Sequence, residues 1–244
     1  MIVKVLSSGS KGNATLVKNN HITILIDAGI TLKNAEKRIN NNIKNIDIII
    51  LTHIHDDHIK GINSYLKKYH PVILTQIEKE ELESKINYDN IIYDNNYNID
   101  DIKINLFNLS HDVKCSGISI KEDKELIYMT DTGYINNKIL TQIENKDAYI
   151  IESNHDIEML RNSKYPFYLQ QRILGDRGHL SNEDAAKYLE KIIGKNTKNI
   201  VLAHLSQENN TPSLALSTTK NKINNNDITI YIAKQDEALD WIEI

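Results

Sequence analysis

Ile46-Asp47-Ile48-Ile49-Ile50-Leu51-Thr52-His53-Ile54-His55-Asp56-Asp57-His58 is the stretch from which the rest of this 244-residue chain is read. The apolar run Ile46 to Leu51 predicts a buried strand that stops abruptly in a polar, histidine-rich exit. Histidines two apart in an extended segment point to the same side, and Asp57 and His58 then fall at the start of a helical stretch running from about Asp57 to Lys68. Four potential ligands, His53, His55, Asp57 and His58, converge within six residues. Nine histidines in the whole chain do not place three in such a window by chance, so a polar surface turn is the weaker reading. Imidazole nitrogen and carboxylate oxygen suit Zn²⁺, Mn²⁺ or Fe²⁺, and a set without cysteine leaves room for open coordination positions.

Further donors repeat this context downstream. His111 ends a predicted strand in Leu109-Ser110-His111-Asp112, Asp131 ends another in Met129-Thr130-Asp131-Thr132-Gly133, and His204 follows the buried-looking run Ile200 to Ala203. Together with the first cluster they make five histidines and two aspartates, enough for two metal ions. His179 stands just before Ser181-Asn182-Glu183-Asp184, a capping-box-like helix start whose positive end favours phosphate, which makes it a candidate general acid. The Ser7 to Asn13 loop offers hydroxyls, backbone N–H groups and Lys11 as a phosphate-binding concavity. Three of the four arginines, Arg161, Arg172 and Arg177, share one segment with Lys164, Tyr165, Phe167 and Tyr168, where the aromatics either suit stacking or packing against nucleotides or enter the core of a helix whose charges are solvated. A net charge of −4 excludes a module that holds nucleic acid by overall charge, so a local basic patch of this kind is needed to grip a polyanion.

With 40% hydrophobic and 25% charged residues the composition is that of an ordinary globular chain. Cys115 has no partner for an internal disulfide, and neither a signal peptide nor a membrane span is recognisable; a soluble cytoplasmic protein is the expectation. β-Branched runs at Ile2 to Leu6, Ala14 to Val17, Ile22 to Ile26, Val72 to Leu74, Ile102 to Leu109, Gly117 to Ile120, Leu126 to Met129, Tyr149 to Glu152 and Ile228 to Ile232 read as strands. Leu32 to Ile39, Ile135 to Ile143, Tyr168 to Leu174 and Asn182 to Ile193 read as helices, and Thr211-Pro212 as the cap and first residue of another. Asn87 to Asp101 is the least structured part. Strands in both halves, each group followed by helices, predict two packed sheets covered by helices in a single domain spanning residues 1–244.

His-x-His-x-Asp-His after an apolar strand, then a strand-ending His, an Asp-Thr-Gly and a late His, resembles the metallo-β-lactamase-fold superfamily. Ser7-Ser8-Gly9-Ser10-Lys11-Gly12-Asn13, Ile26-Asp27-Ala28-Gly29, Glu152-Ser153-Asn154-His155-Asp156, Gly178-His179-Leu180-Ser181-Asn182 and the run Ala203 to Pro212 are similar to the YycJ/WalJ family of bacterial exonucleases. The resemblance implies an αββα sandwich of mixed sheets with a dinuclear Mn or Zn site at one edge. Carried over by residue, it implies His53, His55 and His111 on one ion, Asp57, His58 and His204 on the other, and Asp131 between them. It also implies that Glu152 orients His179, making Asp57, His179 and Glu152 the catalytic set, and that Asp27 orients a ligand imidazole. Substrate contacts are expected from Ser10, Lys11, Asn13, Arg172, Arg177 and Asn182. There is no room for the inserted domain with which ribonuclease J-type enzymes clamp RNA.

The activity these features point to is metal-dependent phosphodiester hydrolysis on nucleic acid, DNA before RNA, in family terms a 5′ to 3′ DNA exonuclease. A small-molecule hydrolase of the same fold, cleaving a thioester, lactone, β-lactam or cyclic phosphodiester, is the alternative. A metal-stabilised binding module without turnover is the third, and seven filled ligand positions speak against it, because structural sites are usually closed and tetrahedral.

Overall fold

The computed structural model describes residues 1–244. The order opens β1 (Ile2–Ser7), β2 (Ala14–Lys18), β3 (Thr23–Ile26), α1 (Leu32–Ile39), β4 (Ile48–Leu51), α2 (Asp56–Ile59), α3 (Ile62–Tyr69), β5 (Val72–Thr75) and α4 (Lys79–Glu83). It continues β6 (Ile91–Tyr93), β7 (Asn96–Ile99), β8 (Ile102–Leu109), β9 (Cys115–Lys121), β10 (Glu125–Met129), α5 (Asn137–Gln142), β11 (Ala148–Glu152) and α6 (Ile157–Arg161). The last elements are α7 (Phe167–Leu174), α8 (Asn182–Ile192), β12 (Asn199–Ala203), α9 (Pro212–Ile223), β13 (Thr229–Ile232) and β14 (Ile242–Glu243).

The strands form two mixed seven-stranded sheets, ordered β14-β1-β2-β3-β4-β5-β6 and β13-β12-β11-β10-β9-β8-β7. In the first, β3 to β6 run parallel; in the second, β10 to β13 do. Val3, Ile24, Ile48 and Ile50 from one sheet pack against Ile104, Ile118, Tyr128 and Ile150 from the other, closing a dry inter-sheet core. The opposite faces are covered by helices: Leu25, Ile49 and Ile73 meet Ala35, Tyr65 and Leu66, while Ile127, Tyr149 and Leu202 meet Ile139, Ala185, Leu189 and Ala215. The expected αββα sandwich is therefore present. Parallel strands buried on both faces read as continuous apolar runs, which is why β4, β11 and β12 were legible without alternation.

The elements differ from expectation in places that have local causes. The expected helix Asp57 to Lys68 is two helices, because the turn at Gly61 packs on Ile30: a Cβ at Gly61 would lie 2.2 Å from the Ile30 carbonyl oxygen. Asn87 to Asp101, expected to be the least structured part, carries β6 and β7, which form the outer edge of one sheet and then the other. Exposed edge strands need few apolar residues: β7 alternates with asparagine, and β6 is only three residues long, too short a run to stand out. Where caps were legible they are used: the Thr211 hydroxyl accepts from the Leu214 N–H at 3.2 Å, and that of Ser181 from the Asp184 N–H at 3.1 Å.

Candidate metal centre

β3, β4, β8, β10, β11 and β12 all end at the same edge of the sandwich, and each contributes a polar residue at or just past its last position: Asp27, the segment Thr52 to His58, His111, Asp131, Glu152 and His204. Three of these residues leave their strands in the left-handed region, Asp27 with φ 57°, Asp131 with φ 58° and His204 with φ 56°. Aspartate and histidine tolerate that backbone better than most residues, and such strain collects at functional sites.

The side chains meet in two groups. His53 Nε2 lies 3.1 Å and His111 Nε2 3.4 Å from His55 Nδ1. Asp57 Oδ2 lies 3.4 Å from His58 Nε2 and 3.8 Å from His204 Nε2. Asp131 Oδ2 stands 3.2 Å from His58 Nε2, and His53, His58 and Asp131 form a third convergent set that links the first two. Nitrogens crowded this closely cannot all donate to one another. Asp131 Oδ2 and His204 Nε2 are buried without any hydrogen-bond partner, an expensive condition unless something electron-poor takes both. The donor set and these orphaned atoms fit a pair of divalent cations.

Four of the rings, those of His53, His58, His179 and His204, are held from behind. His58 Nδ1 donates to Asp27 Oδ2 at 2.7 Å, and Asp27 also accepts from the Thr52 N–H at 2.9 Å. His53 Nδ1 donates to the Thr52 hydroxyl at 3.0 Å. Glu152 Oε1 accepts from both His204 Nδ1 at 2.7 Å and His179 Nδ1 at 2.8 Å, while its Oε2 accepts the Thr132 and Leu180 N–H groups, each at 3.1 Å. Four donors around a fully buried carboxylate keep it ionised: burial pushes Glu152 up, but the two imidazoles beside it bring the pKa down to about 2. The same contact acts in reverse on His179, where burial pushes the pKa down and the Glu152 carboxylate carries it above the usual histidine value. Glu152 is thus a shared anchor for a candidate ligand and the candidate acid, a double duty its sequence context did not reveal.

A cleft of about 280 Å³ opens over this cluster, lined by His55, Asp57, His111, Asp131, His179 and His204 and, further out, by Ser10, Arg172, Arg177 and Ser206. Lys11 is not among its lining residues; its amide N–H is tied to Gln235 Oε1 at 2.8 Å and the side chain is exposed. Asn13 is buried beside the cluster, its amide nitrogen 3.2 Å from Asp57 Oδ2 and 2.9 Å from His58 Nε2, and it is not among the residues lining the cleft. Asn182 is wholly buried, bonded to the Ser153 hydroxyl at 2.6 Å and to Asn210 at 2.9 Å; it braces the loop behind His179 and does not line the cleft either. Arg161 pairs with Glu158 on the surface and does not line the cleft. Asp112 was missed: it lies 3.1 Å from His111 Nε2, 3.6 Å from His55 Nε2, and pairs with Arg172 across the cleft mouth.

Residues 22–205 match the family model for a beta-lactamase superfamily domain. Over 98% of its length the chain is 35% identical to the exodeoxyribonuclease WalJ of Streptococcus pneumoniae, covering 97% of that protein. It is 37% identical to the exodeoxyribonuclease YycJ of Bacillus anthracis, over 86% of this chain and 84% of the relative. The chain belongs to the WalJ/YycJ family of the metallo-β-lactamase superfamily. Solved structures of the same fold include YhfI from Bacillus subtilis, with a TM-score of 0.72 at 18% identity over 98% of this chain and 99% of that one. Zn²⁺-bound PqqB from Methylobacterium extorquens superposes with a TM-score of 0.69 at 14% identity, over 98% of this chain and 100% of that one. The superfamily fold goes with divalent metal ions, typically two, and the overlapping donor groups of this WalJ/YycJ-family chain supply His and Asp ligands for them. No helix in the chain is long and apolar enough to cross a membrane.

Proposed function

We propose that this protein is a cytoplasmic, dinuclear metal-dependent phosphodiesterase that degrades DNA from an end, working 5′ to 3′. The observation that carries the reading is the Glu152–His179 pair set at 2.8 Å beside the donor cluster, in a cleft that also presents Arg172 and Arg177. A thioester, whose thiolate leaves unassisted, has no need of a protonated imidazole at the leaving group, and an uncharged lactone has no need of guanidinium groups, whereas a phosphodiester of nucleic acid has both an alkoxide to protonate and negative charge to hold. The exodeoxyribonuclease names of the WalJ and YycJ relatives support the same choice.

His53, His55 and His111 would hold one ion, Asp57, His58 and His204 the other, with Asp131 between them. Manganese or zinc at such a pair supplies an activated water and neutralises charge growing on the phosphoryl oxygens. The chain's own residues do the rest. Glu152 fixes the His179 ring through Nδ1, which leaves Nε2 to give its proton to the departing oxygen. Arg172 and Arg177 hold the flanking phosphates, and Ser10 and Ser206 offer hydroxyls on the same rim. Asp27 and Glu152 keep His58 and His204 from turning away.

The deciding experiment incubates metal-replete protein with 5′-phosphorylated and unphosphorylated duplex DNA, single strands, RNA and a generic thioester, resolving product lengths over time. Stepwise shortening of DNA from its 5′ ends is expected. Cleavage of the thioester alone would overturn the reading.

A further inference from the structure

α7 is an odd helix for a folded protein, because none of its eight residues is buried. Phe167 and Tyr168, at its first turn, are 75% and 74% exposed, while the next most exposed large hydrophobic side chain in the molecule, Tyr134, reaches 45%. One of only two phenylalanines in the chain is thus spent on solvent, beside a tyrosine, one turn from the cleft.

At 100° per residue the helix orders its side chains around its axis. Leu169 and Ile173 face the cleft, Arg172 stands at its rim, Tyr168 comes next around the helix, and Phe167 lies on the outer flank. Tyr168 and Arg172, four residues apart, thus stand on one ridge beside the cleft-facing side, and Phe167 stands about 100° further round at the first turn, so a strand leaving the cleft across this ridge reaches Tyr168 first and Phe167 after it. The far end of the helix is fixed: the His179 N–H donates to the Ile173 carbonyl at 3.0 Å, and Gly178 packs so closely that a Cβ would lie 2.2 Å from that oxygen. The two rings accordingly project from an anchored support.

We propose that Phe167 and Tyr168 form a stacking platform for unpaired nucleobases of the strand whose phosphate occupies the cleft. The platform rests on the nucleic-acid reading above and deepens it: the site takes a strand end in single-stranded form, and a duplex end as it frays. Interleaved cationic and aromatic side chains are what sequence-tolerant binding of single strands uses, since every base has a π face and every nucleotide a phosphate. A second copy of this chain is the poorer occupant, because two aromatic side chains cover at most a few hundred Å² and a stable interface needs roughly 800 Å² per partner.

The test uses metal-replete protein and 5′-phosphorylated single strands of equal length and charge, one with ordinary bases and one abasic at the two terminal nucleotides. Stacking of this kind changes affinity by roughly fivefold to a hundredfold per base, so wild-type protein should favour the ordinary strand by at least about tenfold in kcat/KM. The Phe167→Ala/Tyr168→Ala variant should lose that preference through KM with little change in kcat, Phe167→Trp/Tyr168→Trp should keep it, and Phe167→Leu/Tyr168→Leu should not. A wild-type enzyme indifferent to the abasic end, or an alanine variant that retains the preference, overturns the platform while leaving the nuclease intact. A wild-type dimer that the alanine variant abolishes also overturns it, assigning the patch to a second copy. If no nucleic acid is cleaved, the activity reading fails on its own. The platform is then decided by Phe167→Trp emission: quenching by the ordinary strand over the abasic one supports it, and equal quenching overturns it.

Discussion

Glu152 is the residue whose removal tells most. Because one of its oxygens accepts from both His179 and His204, Glu152→Gln is expected to loosen a candidate metal ligand and the candidate acid together, whereas His179→Ala removes the acid alone. His179→Ala should therefore retain both ions by elemental analysis and lose about 10²-fold or more on an unactivated phosphodiester, but far less on a p-nitrophenyl ester, whose leaving group needs no proton. Glu152→Gln should lose on both substrates and bind less metal. Equal losses on the two esters for His179→Ala would remove it from the acid role. His53, His55, Asp57 and His58 were legible because local spacing puts them together, and His111, Asp131 and His204 because each follows an apolar run. What spacing cannot show is burial, and so Asn13 and Asn182, polar and close to the motifs, read as substrate contacts when both are buried and neither lines the cleft. Asp112 escaped because its partner Arg172 lies 60 residues away. The left-handed backbone at Asp27, Asp131 and His204 was equally invisible, and it makes Asp131→Glu a poor conservative change: the longer acid must also adopt a conformation that costs it about 1 kcal/mol or more.

Among the elements, α7 carries Arg172, and Arg177 follows it in the turn that leads to His179; both line the cleft. Arg172 is held over the mouth by Asp112, an exposed pair that stabilises little by itself and is open to exchange for a phosphate. Replacing Arg172 and Arg177 by Ala should weaken DNA binding and flatten the slope of log affinity against log salt by about one unit per lost phosphate contact. Unchanged affinity and slope in that variant would return the segment from Phe167 to Arg177 to scaffold. α7 was placed correctly from its sequence, yet whether its apolar residues entered the core was undecidable there, since Leu169 and Ile173 at helical spacing look the same against a core as against a cleft. Long buried strands were legible through their apolar runs; the short edge strands β6, β7 and β14 were not, because none exceeds four residues, β7 alternates with asparagine, and β14 pairs with β1 at the far end of the chain.

Across the whole molecule, the donors are divided between the two sheets: Thr52 to His58 leave the first, while His111, Asp131 and His204 leave the second. Cations binding this set stabilise only the docked sandwich, so their removal by chelator should lower the thermal midpoint in proportion to the logarithm of metal concentration, and Asp131→Asn should shrink that dependence. A midpoint insensitive to metal would place the ions elsewhere. All the chemistry leaves from one edge, which assigns the other edge a different kind of value. The turns Asn40-Asn41-Asn42 before β4, Glu122-Asp123-Lys124 before β10 and Asn224-Asn225-Asn226 before β13 lie at the opposite ends of those strands. Insertions, fusion partners or surface attachment points belong there, where the chain can be lengthened or tethered with the catalytic rim still facing open solution.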